Sequence, residues 1–331
     1  MNASVTAALI AASASLVVSV VTWFAKRKSD RELAEAQAQN QKDLARLNDL
    51  LTRSRDLNAA QLEYRFKARQ RLYEELQPLL FQLAEQSEVA YERVLLLAKR
   101  ASRGFLGPNQ PSWLSDKWGY FSLTTTYRLV APLVVFRLMR LRLTLVDLSL
   151  DTEVWTRYRM AKLLYISLTN GGGLAESAPQ IPYDESKGLQ HLRTADLDRL
   201  IERMTVERSD GSLYCMSYGQ WVDTIERDEG DLRRWVDLAV NLFHNFHPRF
   251  RPVFWRVLLA QAHIHKAMML TVEPGLPGTT LPPDAIPLED QRDFDWREPT
   301  TSASAEEAVT DAFVPVRNYL SMRMASLRRH L

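Results

Sequence analysis

"RLVAPLVVFRLMRLRLTLVDLSLD", residues 128–151, decides the architecture of this chain. It is dense in Leu and Val, yet Arg137, Arg140 and Arg142 interrupt it. Three readings compete: a membrane span, a strand and a buried helix. The longest charge-free run, 129–136, contains Pro132 and is only eight residues long. Roughly 20 apolar residues are needed to cross a bilayer, and a central arginine in lipid costs at least about 2.5 kcal/mol. The span is excluded. A strand gains some support from alternating Leu141, Leu143 and Leu145, then Leu148 and Leu150. The alternation loses phase at Val146-Asp147, which would turn every later side chain to the other face.

The helix reading has no such fault. At about 100° per residue, Val134, Leu138, Leu141, Leu145 and Leu148 form one stripe. Phe136, Met139, Leu143, Val146 and Leu150 form a second, nearly opposite. A helix apolar on two sides is packed by neighbours on both, so this one is predicted to be central. Arg137, Arg140, Asp147 and Asp151 make a narrow polar seam between the stripes and are the first candidate site. Unpaired buried ions cost several kcal/mol, so neighbouring helices are expected to answer them.

The surrounding segments also read as helices, giving an all-α body over residues 72–272. Leu72, Leu76, Leu79, Leu80, Leu83, Val89, Val94 and Leu97 recur at helical spacing, with Pro78 as an expected kink or break. Asp151 or Thr152 caps a helix over about 153–168, and Thr194 opens another reaching about Val206. Asp210-Gly211 suggests a small β-hairpin within 204–216. Ser217 with Gln220 forms a capping box for a helix over 218–227. Asp231 is read as the cap of a helix ending near Phe246, and Pro252 as the start of the next, to about Val272. Six prolines between Glu273 and Ala303 suggest a linker at 273–303, followed by a C-terminal helix over 304–331 that opens with a capping box at Ser304.

The N-terminus carries the strongest single signal. Ala3 to Ala25 has no charged residue, and Lys26, Arg27 and Lys28 follow at once. A cleavable signal peptide has its basic cluster before a shorter apolar core. Residues 1–25 are therefore read as an uncleaved transmembrane anchor. The positive-inside rule places the bulk of the chain on the cytoplasmic side of the inner membrane, with Trp23 at the interface. Ala7, Ala11, Ser15 and Ser19 recur every four positions, a small-residue face that would let two such helices form a homodimer. Residues 26–71 lack Gly and Pro and read as a charged helical stalk. Leu44, Leu47 and Leu51, with Leu50, Leu57 and Tyr64, hint at a coiled coil, but Ser54, Asn58 and Gln61 break the heptads.

Composition narrows the function classes. A net charge of +2 gives no strong nucleic-acid signal. The excess of arginine over lysine is typical of GC-rich coding DNA and points to a bacterial source. Cys215 is the one cysteine, which excludes an internal disulfide or a cysteine-rich zinc site. Gly171-Gly172-Gly173 lacks the Lys and Ser/Thr of a phosphate loop and reads as a helix stop. His244 and His247 share a helical face but have no evident third metal ligand. Trp113, Trp118 and Trp296 flank loops and read either as docking points or as caps on the core.

One local pattern has a mechanism attached. "RVLLAQAH", Arg256 to His263, resembles the arginine-x(4–6)-histidine motif of HEPN-type ribonucleases over eight residues. Val257 and Leu258 stand where that family often has a polar residue. The resemblance implies an all-α RNase working at a dimer interface, with His263 moving protons and Arg256 holding phosphate. Taken together, the residues favour a non-enzymatic, membrane-anchored interaction module with a lipid bilayer and a protein as partners. A tethered RNase is the alternative. No cofactor and no metal site is expected.

Overall fold

Arg69, Leu72 and Tyr73 open the packed part of a helix that begins far upstream, α1 (Ala3–Ser102). The computed structural model describes residues 3–108, 112–143, 148–169, 173, 190–227, 231–270, 294, 296, 316–323 and 326; for residues 3–14, 36, 149 and 270 it gives backbone only. Contacts divide the chain into two units, Met1–Lys67 and Ala68–Leu331.

The described part of the first unit is one helix. All its described side chains, from residue 15 to Lys67, are exposed, including Leu44, Leu47, Leu50, Leu51, Leu57 and Tyr64. The leucines of the hinted coiled coil have no partner within the unit. Pairs one turn apart, Asp49–Arg53 at 3.0 Å and Glu63–Lys67 at 2.7 Å, run along its surface. Such exposed pairs add only a few tenths of a kcal/mol each. Among the described residues no helix is long and apolar enough to cross a membrane. The described side chains of the apolar run, 15–25, reach roughly 16 Å at 1.5 Å per residue, about half a hydrocarbon core. The predicted transmembrane helix at 1–25 is therefore not shown, because its first half lies outside the described side chains.

The second unit is mostly helical and built around α2 (Tyr120–Arg142). In the part of α1 that belongs to it, Leu72, Leu76, Leu80, Leu83, Ala90, Val94, Leu97 and Ala101 are buried along one face. Their three- and four-residue spacing makes one apolar stripe. The helix continues through Pro78 without the expected break. Pro78 sits on the exposed side, where water can take up the carbonyl that its missing amide leaves free.

α2 is followed by a short 3-10 turn (Leu148–Leu150), α3 (Thr152–Thr169) and α4 (Thr194–Arg203). A hairpin of β1 (Thr205–Glu207) and β2 (Leu213–Cys215) comes next. Then come α5 (Tyr218–Glu226), α6 (Leu232–Phe243) and α7 (Pro252–Leu270). The hairpin pairs Thr205 with Cys215 and Glu207 with Leu213, antiparallel. Gly211 takes φ +78° in its turn, where the Asp210 carboxylate accepts from the Ser212 amide at 2.8 Å.

α2 touches α3, α4, β2, α5 and α6. Val134 and Leu138 from one stripe, and Phe136 and Met139 from the other, are all buried, as expected of a central helix. The helix is shorter than predicted, however. It ends at Arg142 with Leu143 as C-cap, and Arg140, Leu141 and Arg142 are exposed. Asp151 is not on it. An Asp at an N-cap takes non-helical backbone, and Asp151 serves α3 in that role: its Oδ1 accepts from the amides of Glu153 at 2.9 Å and Val154 at 3.0 Å.

The Ser217–Gln220 capping box is present in full. Asp231 does not cap α6 with its side chain; it stands in the left-handed region at φ +60° with no capping hydrogen bond. Two positions of the linker expected at 273–303 are described. Phe294 and Trp296 are buried in the core, 0% and 6% exposed, and the rest of that segment lies outside the described residues. Residues 316–323 are helical, and Val316, Tyr319 and Leu320 join the same core. The capping box at Ser304 falls outside the described residues.

Candidate functional site

The polar seam disperses. Arg137 reaches Glu202 on α4 at 4.0 Å, and Arg140 lies over the Phe136 ring at 6.0 Å. Asp147 falls outside the described residues. Asp151 turns instead to α1, where the Tyr73 hydroxyl donates to its Oδ2 at 2.5 Å. Nearby, Arg69 Nε donates to the Leu150 carbonyl at 2.8 Å and Arg142 pairs with Glu75 at 3.2 Å. Burial alone would raise the Asp151 carboxyl. The Tyr73 hydroxyl and the two α3 amides outweigh it and hold the carboxyl below its usual range. This is a structural joint between α1 and the start of α3.

α7 carries the residues that the ribonuclease resemblance singles out. Arg256 is 1% exposed and His263 0%, with the His263 ring 6.2 Å from Phe294. The two share one helix, but neither has a surface that a phosphodiester could reach. Gln261, beside them, donates from Nε2 to the Leu164 carbonyl and the Ser167 hydroxyl, both at 2.7 Å, and so ties α7 to α3. His265 is fully buried, and among the described residues neither ring nitrogen has a hydrogen-bond partner. Burial pushes its imidazole down to about 3, so it is neutral at ordinary pH.

His244 and His247 do not converge. His244 Nε2 lies 3.0 Å from the Ser115 carbonyl, whereas His247 Nδ1 accepts from the Arg249 amide at 3.1 Å. The Trp296 ring stands edge-on to His247 at 5.5 Å, as a cap on the core. Among the described residues no group of three or more His, Cys, Asp or Glu is placed to hold a metal ion. Cys215 is half-buried, and burial pushes its thiol up to about 12, far from the thiolate that nucleophilic chemistry needs. Lys26, Arg27 and Lys28 are exposed in the first unit, with Arg27 over the Trp23 ring at 5.1 Å and Lys28 3.8 Å from Glu32.

The structure assembles a different cluster, at the N-terminal end of α2. Arg93 and Arg100, two turns apart on α1, both lie over Trp113, with guanidinium carbons 5.2 and 5.5 Å from the ring centre. Trp113 in turn packs on Phe121 at 4.4 Å. Tyr120, Thr124 and Arg128 follow at four-residue steps along one face of α2, and Tyr218 of α5 comes within 6.3 Å of Tyr120. Tyr127, beside them, is anchored through its hydroxyl to the Met216 carbonyl at 2.8 Å.

Arg93 is 4% exposed, and its Nε and Nη1 are sealed without partners. Its burial first, and the Arg128 charge second, lower its guanidinium to about 10, which leaves it charged at neutral pH. Among the described residues, the groups whose charges act on Arg93 are Arg128, Tyr120 and Tyr218. The sequence offered one clue, Tyr120, Thr124 and Arg128 at four-residue steps on one face of the helix. Its partners Arg93 and Tyr218 lie 27 to 98 positions away, and no local pattern links them. No protein-family model, no curated protein and no solved structure matches the chain.

Proposed function

We propose that the chain is a single-pass, membrane-held helical protein whose body binds a partner at the cytoplasmic face and performs no catalysis. The observation that carries the reading is the apolar run of α1. Leu16, Val17, Val18, Val20, Val21, Trp23 and Phe24 are 43–66% exposed, with no neighbour in their own unit to cover them. Apolar area left in water costs about 25 cal/mol per Å², and a bilayer would cover all sides of such a helix at once.

Details of the run fit that environment. The hydroxyls of Ser19 and Thr22 donate back to the carbonyls of Ser15 and Val18, both at 2.8 Å, so neither is left unsatisfied in lipid. Arg27 stacked on Trp23 suits the headgroup layer. Ser15 and Ser19, with Ala7 and Ala11, offer a small-residue face for a second copy. Lys26-Arg27-Lys28 sets the orientation. The ribonuclease reading gains no support, since Arg256 and His263 are sealed within the core.

Topology tests the proposal. Protease added outside sealed cells leaves residues 29–331 intact and digests them once the membrane is opened. Digestion in sealed cells would contradict the assigned orientation.

A further inference from the structure

We infer that Phe105, Trp113, Tyr120 and Phe121, with Arg100 and Arg103, form the surface on which the body docks an acidic, aromatic-bearing segment of a partner protein. The inference rests on the reading of the body as a partner-binding module, and adds where it binds and what chemistry it selects. All six residues belong to Ala68–Leu331.

The rings form one connected layer at the end of α1. Arg100 lies over both Phe105 and Trp113, with its guanidinium carbon 5.4 and 5.5 Å from the ring centres. Trp113 packs on Phe121 at 4.4 Å, Phe121 on Tyr120 at 5.3 Å, and Tyr120 on Tyr218 at 6.3 Å. The Trp113 amide donates to the Phe105 carbonyl at 3.0 Å, which ties the two rings' backbones together. Yet Phe105, Phe121 and Tyr120 are 47%, 40% and 60% exposed. Large rings gathered on one exposed face, rather than scattered singly, mark an interaction surface.

The charge around the layer is one-sided. Lys99 and Arg100 end α1, Arg103 follows it, and Arg128 stands two turns beyond Tyr120 on α2. None of the four makes an ion pair with a described residue. The Asp116 carboxylate, just before α2, accepts from the Trp118 amide at 3.1 Å, and Lys117 is already paired with Asp237 at 2.6 Å. One or two cations suffice to answer the negative end of a helix; four exceed that need. Arg100 is also preorganised. A guanidinium lying over a ring keeps its N–H donors in its own plane, where a carboxylate meets them by paired, parallel hydrogen bonds.

The composition selects a protein among polyanions. Trp, Tyr and Arg dominate the strongest positions of protein interfaces, where Lys is depleted. Single-stranded nucleic acid asks for open ring faces, whereas Arg93 and Arg100 lie over Trp113 and Phe121 packs on it. A bilayer surface is met by apolar side chains free to sink into it. Here Phe121 stands at 75° to Tyr120, and Tyr120 at 87° to Tyr218, each ring held by the next.

The test uses the full chain in discs of phosphatidylcholine and reads the fluorescence anisotropy of a labelled random copolymer of glutamate and tyrosine. This copolymer is expected to bind, polyglutamate to bind more weakly, and a copolymer of lysine and tyrosine not to bind. Arg103→Glu and Tyr120→Ala, both at exposed positions, should each weaken binding roughly tenfold or more and leave the melting temperature unchanged. Arg203→Glu and Phe81→Ala change an exposed cation and an exposed ring elsewhere on the body, and should bind as the wild type does. A chain seated in the discs that binds no copolymer overturns the surface and leaves the anchoring intact; a chain that binds the copolymer but does not enter discs contradicts the anchoring and leaves the surface standing. Wild-type binding by Arg103→Glu and Tyr120→Ala, or an equal loss in Arg203→Glu and Phe81→Ala, overturns the proposal. So does tighter binding to polyuridylate or to phosphatidylserine vesicles that Arg103→Glu and Tyr120→Ala abolish.

Discussion

Residues 16–24 and residues 253–268 are both apolar helical stretches, and they meet opposite surroundings. The first holds no charge, and its large side chains stand 43–66% exposed. The second contains Arg256, Gln261, His263 and His265, and all four are buried among Phe254, Leu258, Ile264 and Met268. Polar groups are tolerated in the second because neighbours and backbone surround them, as the Leu164 carbonyl and the Ser167 hydroxyl do for Gln261. The first has no described neighbour in its own unit that could answer a charge. Apolar sequence alone does not separate the two; what does is whether neighbouring elements of the same unit cover the run.

Side-chain truncation breaks the comparison most forcefully. Leu258→Ala, at a site with no exposure, should destabilise the body by about 2–5 kcal/mol through lost burial and the cavity left behind. Leu16→Ala should leave the body's urea midpoint unchanged. Equal effects at the two positions would erase the distinction.

Acid sharpens it further. His265 is held neutral with its pKa near 3, against an ordinary value of about 6.5 in the unfolded chain. Between those values the unfolded chain takes up a proton that the folded chain refuses. His265 should therefore remove about 1.4 kcal/mol of stability per pH unit as the pH falls below about 6.5. His265→Leu should flatten that part of the profile, measured as urea midpoints at pH 7 and pH 5. An unchanged slope would mean that the ring accepts a proton inside the core.

Asp151→Ala removes the α3 cap and the Tyr73 hydrogen bond together, and should cost about 1 kcal/mol. The depressed carboxyl of Asp151 contributes stability above its unfolded pKa, and this is lost as the pH falls through the folded value. The variant should thus lose a small acid-dependent increment. Smallest of all, Glu63→Gln breaks the exposed pair with Lys67, and a change beyond a few tenths of a kcal/mol in thermal melting would be unexpected.

Local chemistry made much of the body legible. Ser217 and Gln220 announce their helix because both halves of a capping box lie within four residues. Asp210-Gly211 marks the hairpin because only certain residues accept the turn's backbone. The paired stripes of α2 mark it as central because side-chain direction follows from helical geometry alone. Where the sequence misleads, the deciding partner is distant or the backbone departs from its usual form. The apolar pattern runs past Arg142, and although Asp151 reads locally as a cap of the following helix, nothing local shows that its other oxygen is taken by Tyr73. Asp231 has the side chain of a cap but not the backbone of one. Phe294 and Trp296 sit in a proline-rich stretch and are buried by Tyr91, His263 and His247, tens to hundreds of positions away. The cluster of Arg93, Trp113, Tyr120 and Tyr218 is scattered in the same way: its members are unremarkable singly and meet only when α1, α2 and α5 pack together.

The central claim, that the N-terminal run holds a self-sufficient helical body at a membrane, is tested most directly by alkaline carbonate extraction of the full chain beside residues 29–331. The full chain should remain in the membrane pellet. The truncated chain should stay in the supernatant with a helical far-ultraviolet spectrum and a cooperative melt. A full chain released by carbonate, or a truncated chain that still pellets with the bilayer, would contradict it.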